Sequence, residues 1–291
     1  MNYDERLQKI TQKKQQLDTF RPLSADEVAE LEKNVRIEHV WSSAAIEGNT
    51  MSKYETAALL EGGLGATIHG KTLKETLEII DLNDAYNYMM DLATRKQPLT
   101  TTIIRDLNRI STLETMQPKV DAGKYRAIEV WPYGSKNNPY AAPLDIPNKM
   151  DKLITWSKTA QQQLHPVQYA TDLHQKFVTI HPFRDGNGRT ARLLMNLALT
   201  ENGYPVINVN PSPEARNQYL TALDKSHEGH TGRQVFRELI AGYVEQELDR
   251  RISILELNER NEKDAQKEHN GNLDQLLRRR QQQRRNNELE R

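Results

Sequence analysis

His181-Pro-Phe-Arg-Asp-Gly-Asn-Gly-Arg-Thr-Ala-Arg192 is the stretch on which the reading of this chain turns. Before it, Val167–Ile180 is apolar at Ala170, Leu173, Phe177 and Ile180, a helical spacing. After it, Leu193–Leu199 is again helix-like and is closed by Gly203 and Pro205. The stretch therefore reads as helix, tight loop, helix N-terminus. Gly186 and Gly188 let the backbone turn sharply and come close to a ligand. The free N–H groups of the second helix point into the loop, and its dipole favours an anion there. Arg189 and Arg192, three residues apart, share a helix face and are expected to reach outlying phosphate oxygens. Asp185 adds a hard oxygen ligand suited to a divalent cation held partly by substrate phosphates. His181 brings a side chain that can accept a proton near neutral pH. Taken singly, each feature has an ordinary explanation as a turn or a solvated face. Together within twelve residues they describe a polyphosphate cradle with a base at its mouth.

These residues resemble the His-Pro-Phe-x-(Asp/Glu)-Gly-Asn-Gly-Arg-x-x-Arg signature of Fic domain proteins, matching it at every fixed position. The likeness extends over roughly Met51 to Tyr243 and includes Gly70-Lys71, Ala122-Gly-Lys-Tyr-Arg126 and Arg216 to Tyr219. It implies a mainly α fold, a Fic-type helical bundle with a short β-hairpin flap. It also implies an enzyme, a nucleotidyltransferase that moves AMP from ATP to a Tyr, Thr or Ser hydroxyl of a target protein, the chain itself being one candidate target. In that resemblance His181 removes the hydroxyl proton and Asp185 holds Mg²⁺ (or Mn²⁺). Gly186, Asn187, Gly188, Arg189 and Arg192 surround the phosphates, with Phe183 as the buried anchor of the loop and Tyr219 near the adenine. The neighbouring Arg189 and Arg192 are expected to keep the imidazole neutral. Phosphoryl transfer, the Doc-type rival, goes with Lys at the second motif glycine, and Gly188 speaks against it. Removal of AMP, with Glu47 positioning a water, would use the same residues. A non-catalytic adaptor of the same fold is the third rival, and the intact motif speaks against it.

Upstream, a helical stripe runs through Val28, Leu31, Val35, Val40 and Trp41 to Ile46, opened by the capping-box spacing Ser24-x-x-Glu27. It ends at Ser43-Ala-Ala-Ile-Glu47-Gly48, with Gly48 as a natural C-cap. Glu47 thus stands where the helix dipole disfavours negative charge, a conflict that an incoming cation would repair. Ser43, Glu47 and Gly48 resemble the inhibitory helix motif of self-inhibited Fic proteins. The resemblance implies that Glu47 pairs with Arg192 and blocks the seat of the ATP γ-phosphate.

Ala127–Tyr133 clusters β-prone residues, Gly134–Asn138 is rich in turn formers, and Pro139–Pro143 returns the chain. This reads as an exposed-edge hairpin. Val130, Trp131, Pro132 and Tyr133 are expected to line the flap that positions the target hydroxyl. Gly65–Thr72 satisfies a Walker A pattern, but the segment before it looks helical, and a true phosphate loop follows a strand. His165 and His174 read as helix histidines rather than metal ligands.

The remaining constraints are negative. Forty basic and forty acidic residues balance among 291, so no global field recruits nucleic acid or acidic membranes. Without cysteine there is no disulfide or thiolate metal site. No apolar run approaches the roughly 18 residues of a membrane span, and the first residues lack a signal-peptide core. The expectation is a cytoplasmic protein without membrane or nucleic-acid partners, its oligomeric state left open. Three parts are expected: N-terminal helices over 1–50 including the inhibitory helix, a catalytic domain over 51–257, and a polar tail over 258–291 that is disordered or a solvent-exposed helix. Arg278-Arg-Arg280 and Arg284-Arg285 make that tail locally basic, without the aromatic interleaving of a nucleic-acid reader.

Overall fold

The computed structural model describes residues 2–20, 25–63, 68–132 and 138–289, with side chains described throughout these except at 25, 26, 262 and 266–289. Among the described residues there are ten α-helices: α1 Tyr3–Asp18, α2 Ala25–Ile46, α3 Lys53–Gly62, α4 Leu73–Arg95, α5 Thr101–Ile110, α6 Ile146–Gln163, α7 Pro166–Ile180, α8 Asn187–Glu201, α9 Pro213–Lys225 and α10 His230–Leu289. Their starts follow local chemistry. Asn2, Ser52 and Thr72 each form a reciprocal capping box with a glutamate three residues on, at Glu5, Glu55 and Glu75. Pro166 and Pro213 occupy first turns, where a missing N–H costs nothing. Ser24, the expected cap of α2, lies outside the described residues.

The bundle is organised around α8. From Arg189 to Leu199 every residue of this helix is buried. A helix shielded on all sides belongs at the centre of a domain rather than on its surface. It packs chiefly on α7, then on α4 and α5, while the end of α2 reaches it from another side. α10 lies along α1, α7 and α9. One continuous apolar cluster runs from Tyr3 to Leu248. Burying a side chain such as Leu194 or Phe177 contributes roughly 1.5–3 kcal/mol, so the loop before α8 is carried by the most firmly held part of the fold. No helix among the described residues is long and apolar enough to cross a membrane.

The mainly α class stands. The two arms of the expected hairpin, however, form no strand ladder among the described residues. Residues 127–132 and 138–142 run as irregular chain, linked by one hydrogen bond from Asn138 Nδ2 to the Val130 carbonyl at 2.9 Å. Pro132 and Pro139 supply no N–H for a ladder. Residues 133–137, Tyr133 among them, lie outside the described part. The last helix continues without a break to Leu289, so the segment from 258 takes the helical one of its two expected forms.

The Walker-like segment is no phosphate loop. Helix α3, not a strand, precedes it, and Gly70 makes a turn at φ +75°. Lys71 donates to the Thr50 carbonyl at 2.6 Å, and Thr72 caps α4. Residues 64–67 of that segment lie outside the described part.

Candidate active site

The loop between α7 and α8 is built backwards from its ends. His181 closes α7 in the left-handed region, at φ 50° and ψ 58°, a conformation rare for a non-glycine residue and kept only where surroundings enforce it. The enforcement is visible. The His181 N–H donates to Phe177 O, and its carbonyl accepts from Arg126 Nε at 2.8 Å. Phe183 is fully buried against Phe177 and Tyr125. The Asn187 amide closes the loop on itself, accepting from Phe183 N–H at 3.0 Å and donating to Phe183 O at 2.8 Å. Gly186 has φ +77°, and a Cβ there would lie 2.6 Å from Thr112 Cγ2 and 2.8 Å from Asn108 Nδ2. Glycine is therefore required twice, by conformation and by space.

Phe183 is the buried anchor it was expected to be, whereas Asn187 braces the loop in place of the expected phosphate contact. Phe183 and Asn187 face the protein interior and brace the loop, so their side chains are not part of the phosphate surface. Tyr219 also differs from expectation. It is 1% exposed and hydrogen-bonded to His174 Nε2 at 2.8 Å, so its ring has no free face on which an adenine could stack. It approaches the Arg192 guanidinium instead. Sequence spacing places Tyr219 on α9 but does not say which side of α9 meets the core. His174 is the satisfied helix histidine it was expected to be, and His165 caps α7 and contacts Thr11.

The two motif arginines diverge rather than fan out together. Arg189 points to the end of α5, donating to Ser111 O at 3.0 Å and to Asp185 Oδ2 at 3.2 Å. Arg192 points to the end of α2, donating to Ser43 Oγ at 2.7 Å, Ser43 O at 2.9 Å and Glu47 Oε1 at 2.6 Å. Arg192 is 4% exposed and Glu47 42%, so a half-open carboxylate meets a buried cation. Glu47 lies one residue past α2, and Gly48 turns the chain there at φ +101°. A Cβ on Gly188 would lie 2.3 Å from Glu47 Oε1 and 3.2 Å from Arg192 Nη1. The carboxylate therefore rests directly on the first turn of α8.

Asp185 is 57% exposed; its Oδ1 accepts from Gly186 N–H at 2.6 Å and its Oδ2 meets Arg189. Among the described residues no cluster of three or more metal-ligating side chains forms. A single accessible carboxylate suits a hard cation whose remaining ligands are phosphate oxygens and water.

His181 is pushed down to about 4, first by burial and then by the Arg126 charge; the Val178 carbonyl and Glu47 pull the other way, and His227 adds to the lowering. The imidazole is neutral near pH 7, as a base requires. The cation responsible is Arg126, not Arg189 or Arg192 as the sequence suggested. Arg126 is itself buried, is in no ion pair among the described residues, and donates to three carbonyls, of His181, Ile128 and Ala141. Two of those carbonyls belong to the arms of the flap. Of the flap residues, Trp131 is 60% exposed, and Val130 and Pro132 are partly exposed.

Sequence reading assigned no role to Arg126, Asn108, Ser111, Tyr140 or Arg216. Asn108 Nδ2 donates to Asp185 O at 2.9 Å, and Arg216 Nε donates to Ile46 O at 2.7 Å, the second cation at the end of α2. Tyr140 stacks on the His181 imidazole, with centroids 3.8 Å apart and planes 16° from parallel. Arg126 and Arg216 at least lie inside segments that carried the family likeness. Tyr140 left no signal in the sequence.

Residues 98–199 match the model of the Fic/DOC family. The protein adenylyltransferase Fic of Culex quinquefasciatus is 34% identical over 247 residues, covering 84% of this chain and 47% of that protein. The same-named protein of Aedes aegypti is 35% identical over 221 residues, covering 75% and 42%. The chain thus spans about half the length of the curated relatives it matches. A Fic domain containing signaling protein from Bacteroides thetaiotaomicron superposes with a TM-score of 0.76 at 26% identity, covering 86% of this chain and 98% of that one. Fic-1 of C. elegans (residues 134–508) gives the same TM-score at 24% identity, covering 88% and 73%. With the signature loop, the helices that carry it and these matches agreeing, the chain belongs to the Fic/DOC family, and its Fic domain lies at residues 98–199.

Proposed function

We propose that this protein is an adenylyltransferase that moves AMP from ATP to a hydroxyl side chain of a target protein, and that Glu47 holds it inactive. The observation that carries the proposal is the seat above Gly188. There a carboxylate oxygen occupies the position between the α8 N-terminus and Arg192 that suits an anionic phosphate oxygen. The curated relatives bear the name protein adenylyltransferase, which supports the same reading.

In this reading His181 accepts the proton of the target Tyr, Thr or Ser hydroxyl as that oxygen bonds to the α-phosphorus. The bond from the α-phosphorus to the bridging oxygen breaks, and pyrophosphate leaves. The neutral state of His181 makes it competent without prior deprotonation. The Gly186–Gly188 backbone and the first turn of α8 receive the phosphates. Arg192, once freed of Glu47, meets the terminal phosphate, while Arg189 holds Asp185 and adds positive charge beside it. Asp185 is the residue that would hold Mg²⁺ (or Mn²⁺), which when bound offsets charge on the phosphates. Val130, Trp131 and Pro132 would register an extended target segment beside His181. The parts fall to residues 1–50, with the inhibitory helix, to 51–257, with the chemistry, and to the α10 extension beyond. A cysteine-free chain that consumes ATP suits the cytoplasm.

The test uses wild type, Glu47→Gly, and Glu47→Gly with His181→Ala, each incubated with ATP labelled on the α- or the γ-phosphate. Protein labelling from α, strong in Glu47→Gly and absent in the double variant, is the expected result. Labelling from γ would convert the reading to a kinase. Equal labelling of wild type and Glu47→Gly would remove the inhibitory role.

A further inference from the structure

Catalytic histidines are usually held in plane by a hydrogen bond from the second ring nitrogen to a carboxylate or carbonyl. His181 has that support only in weak form: the Val178 carbonyl is close enough to raise its pKa, but the buried Nδ1 makes no hydrogen bond of good geometry. The imidazole lies instead against the face of Tyr140, at 3.8 Å and 16°.

Tyr140 does not rest there by chance of rotamer. Its backbone N–H donates to Asn138 Oδ1 at 3.1 Å, and the next residue is tied twice. Ala141 N–H donates to Ile180 O, and Ala141 O accepts from Arg126 Nη2 at 2.5 Å. The same guanidinium holds the His181 carbonyl. One buried cation therefore fixes the backbone on both sides of the stack, next to Tyr140 and at His181. The phenol stays protonated, its pKa raised by burial and by Asp224 and Glu47 against the opposing charge of Arg126. The groups facing His181 are thus Arg126 before the flap, Tyr140 on its returning arm, Glu47 past α2, His227 past α9 and the Val178 carbonyl on α7.

We propose that Tyr140 is a positioning residue for His181, its ring setting the plane of the imidazole where the Nδ1 contact to Val178 is too poorly aligned to do so. A nearly parallel stack leaves the imidazole edge, with Nε2, directed away from the phenol rather than at its hydroxyl. Tyr140 is therefore suited to orient the base and not to act as its proton donor or acceptor. A second consequence is coupling. A target segment that docks on the flap pulls on the Ile128 and Ala141 carbonyls, which share Arg126 with His181, so target binding and alignment of the base are mechanically one event.

The inference rests on His181 being the base, and its test separates the two claims. Tyr140→Phe and Tyr140→Ala are made in the Glu47→Gly chain. The rate of His181 carbethoxylation by diethyl pyrocarbonate, read by peptide mass spectrometry, needs no activity. Tyr140→Ala is expected to raise that rate several-fold and to lower kcat for AMP transfer by roughly 10- to 100-fold, with KM for ATP within about twofold. Tyr140→Phe, which keeps the ring, is expected to match the parent in all three. Tyr140→Ala equal to the parent in both assays would overturn the proposal. So would Tyr140→Phe falling as far as Tyr140→Ala, because the hydroxyl and not the ring would then be at work. If the parent transfers no AMP, the functional reading fails while the carbethoxylation rates still decide the stack.

Discussion

Replacing Glu47 with glycine should raise affinity for ATP and leave affinity for AMP almost unchanged. The magnitude follows from how Glu47 and Arg192 are placed. A fully exposed ion pair is worth about 0.2–1 kcal/mol, whereas breaking a fully buried one costs about 3–5 kcal/mol. Here the cation is 4% exposed and the carboxylate 42%, with 2.6 Å between them, so solvent screens one partner only. An intermediate value of about 1–3 kcal/mol is the reasonable figure, which corresponds to roughly 5- to 150-fold in affinity. That energy opposes only a ligand that must displace the carboxylate. ATP does so with its outer phosphates; AMP has none to bring. Calorimetric titration of wild type and Glu47→Gly with ATP and AMP reads the four affinities. The expected result is a gain in that range for ATP alone. An equal gain for both nucleotides would mean that Glu47 acts by closing the whole cleft. No gain for either would mean that the Arg192 seat is not where outer phosphates bind.

Gly188→Ala tests the same seat from the other side. Its Cβ would lie 2.3 Å from Glu47 Oε1, so the pair with Arg192 must loosen, yet the methyl fills the place a phosphate needs. AMP transfer should therefore stay low, unlike in Glu47→Gly, and activation of Gly188→Ala would refute the shared seat. Asn187→Ala removes two buried hydrogen bonds to Phe183 and should cost about 2–4 kcal/mol in urea unfolding, whereas a change under about 0.5 kcal/mol would mean the loop holds without its brace. His39, His174 and His181 all have folded pKa values lowered by burial, to about 4, 3 and 4. Their contribution to stability is present above the unfolded value near 6.5 and is lost as pH falls toward 4. Burial lowers His165 and His227 as well, whereas Asp81 and Glu201, raised by burial to about 6 and 7, act in the opposite sense, so the net loss reflects five imidazoles against two carboxyls. The urea midpoint should drop between pH 6.5 and 4, and a flat profile would mean that the imidazoles are not buried neutral.

How much of this was legible in the sequence depends on the range of the interaction. The helices around the motif were readable because periodicity is local: Val167–Ile180 lies in α7 and Leu193–Leu199 in α8, where their spacing placed helices. The Glu47 conflict was readable for the same reason, since a carboxylate just past Ile46 opposes its own helix dipole. What stayed hidden depends on which faces meet. Arg189 and Arg192 share a helix and a spacing, but α5 approaches one and α2 the other, and no local rule states that. Which way Tyr219 faces was not legible either, and α9 turns it inward to His174. The cation that lowers His181 lies 55 residues away in sequence, at Arg126.

The placement of the buried arginines follows one physical pattern that bears on why the site prefers anions. Arg126, Arg189 and Arg192 are each at most 5% exposed, and burying a guanidinium requires compensation. A carboxylate partner for each would neutralise the charge and leave nothing for a phosphate. Asp185 and Glu47 do meet Arg189 and Arg192, but both carboxylates are about half exposed, and all three guanidiniums also rest on helix C-termini. Arg126 donates to the carbonyl of His181, which caps α7; Arg189 to that of Ser111, which caps α5; and Arg192 to that of Ser43, in the last turn of α2. Each terminus carries roughly half a negative charge spread over its orphan carbonyls, enough to satisfy the N–H groups and too little to cancel a full cation. The residual positive charge adds to the N-terminal end of α8, and the cradle is left short of negative charge by construction. Glu47 supplies one such charge from within the chain. A polyphosphate supplies more, which is why a triphosphate can compete for a seat that a single carboxylate already fills.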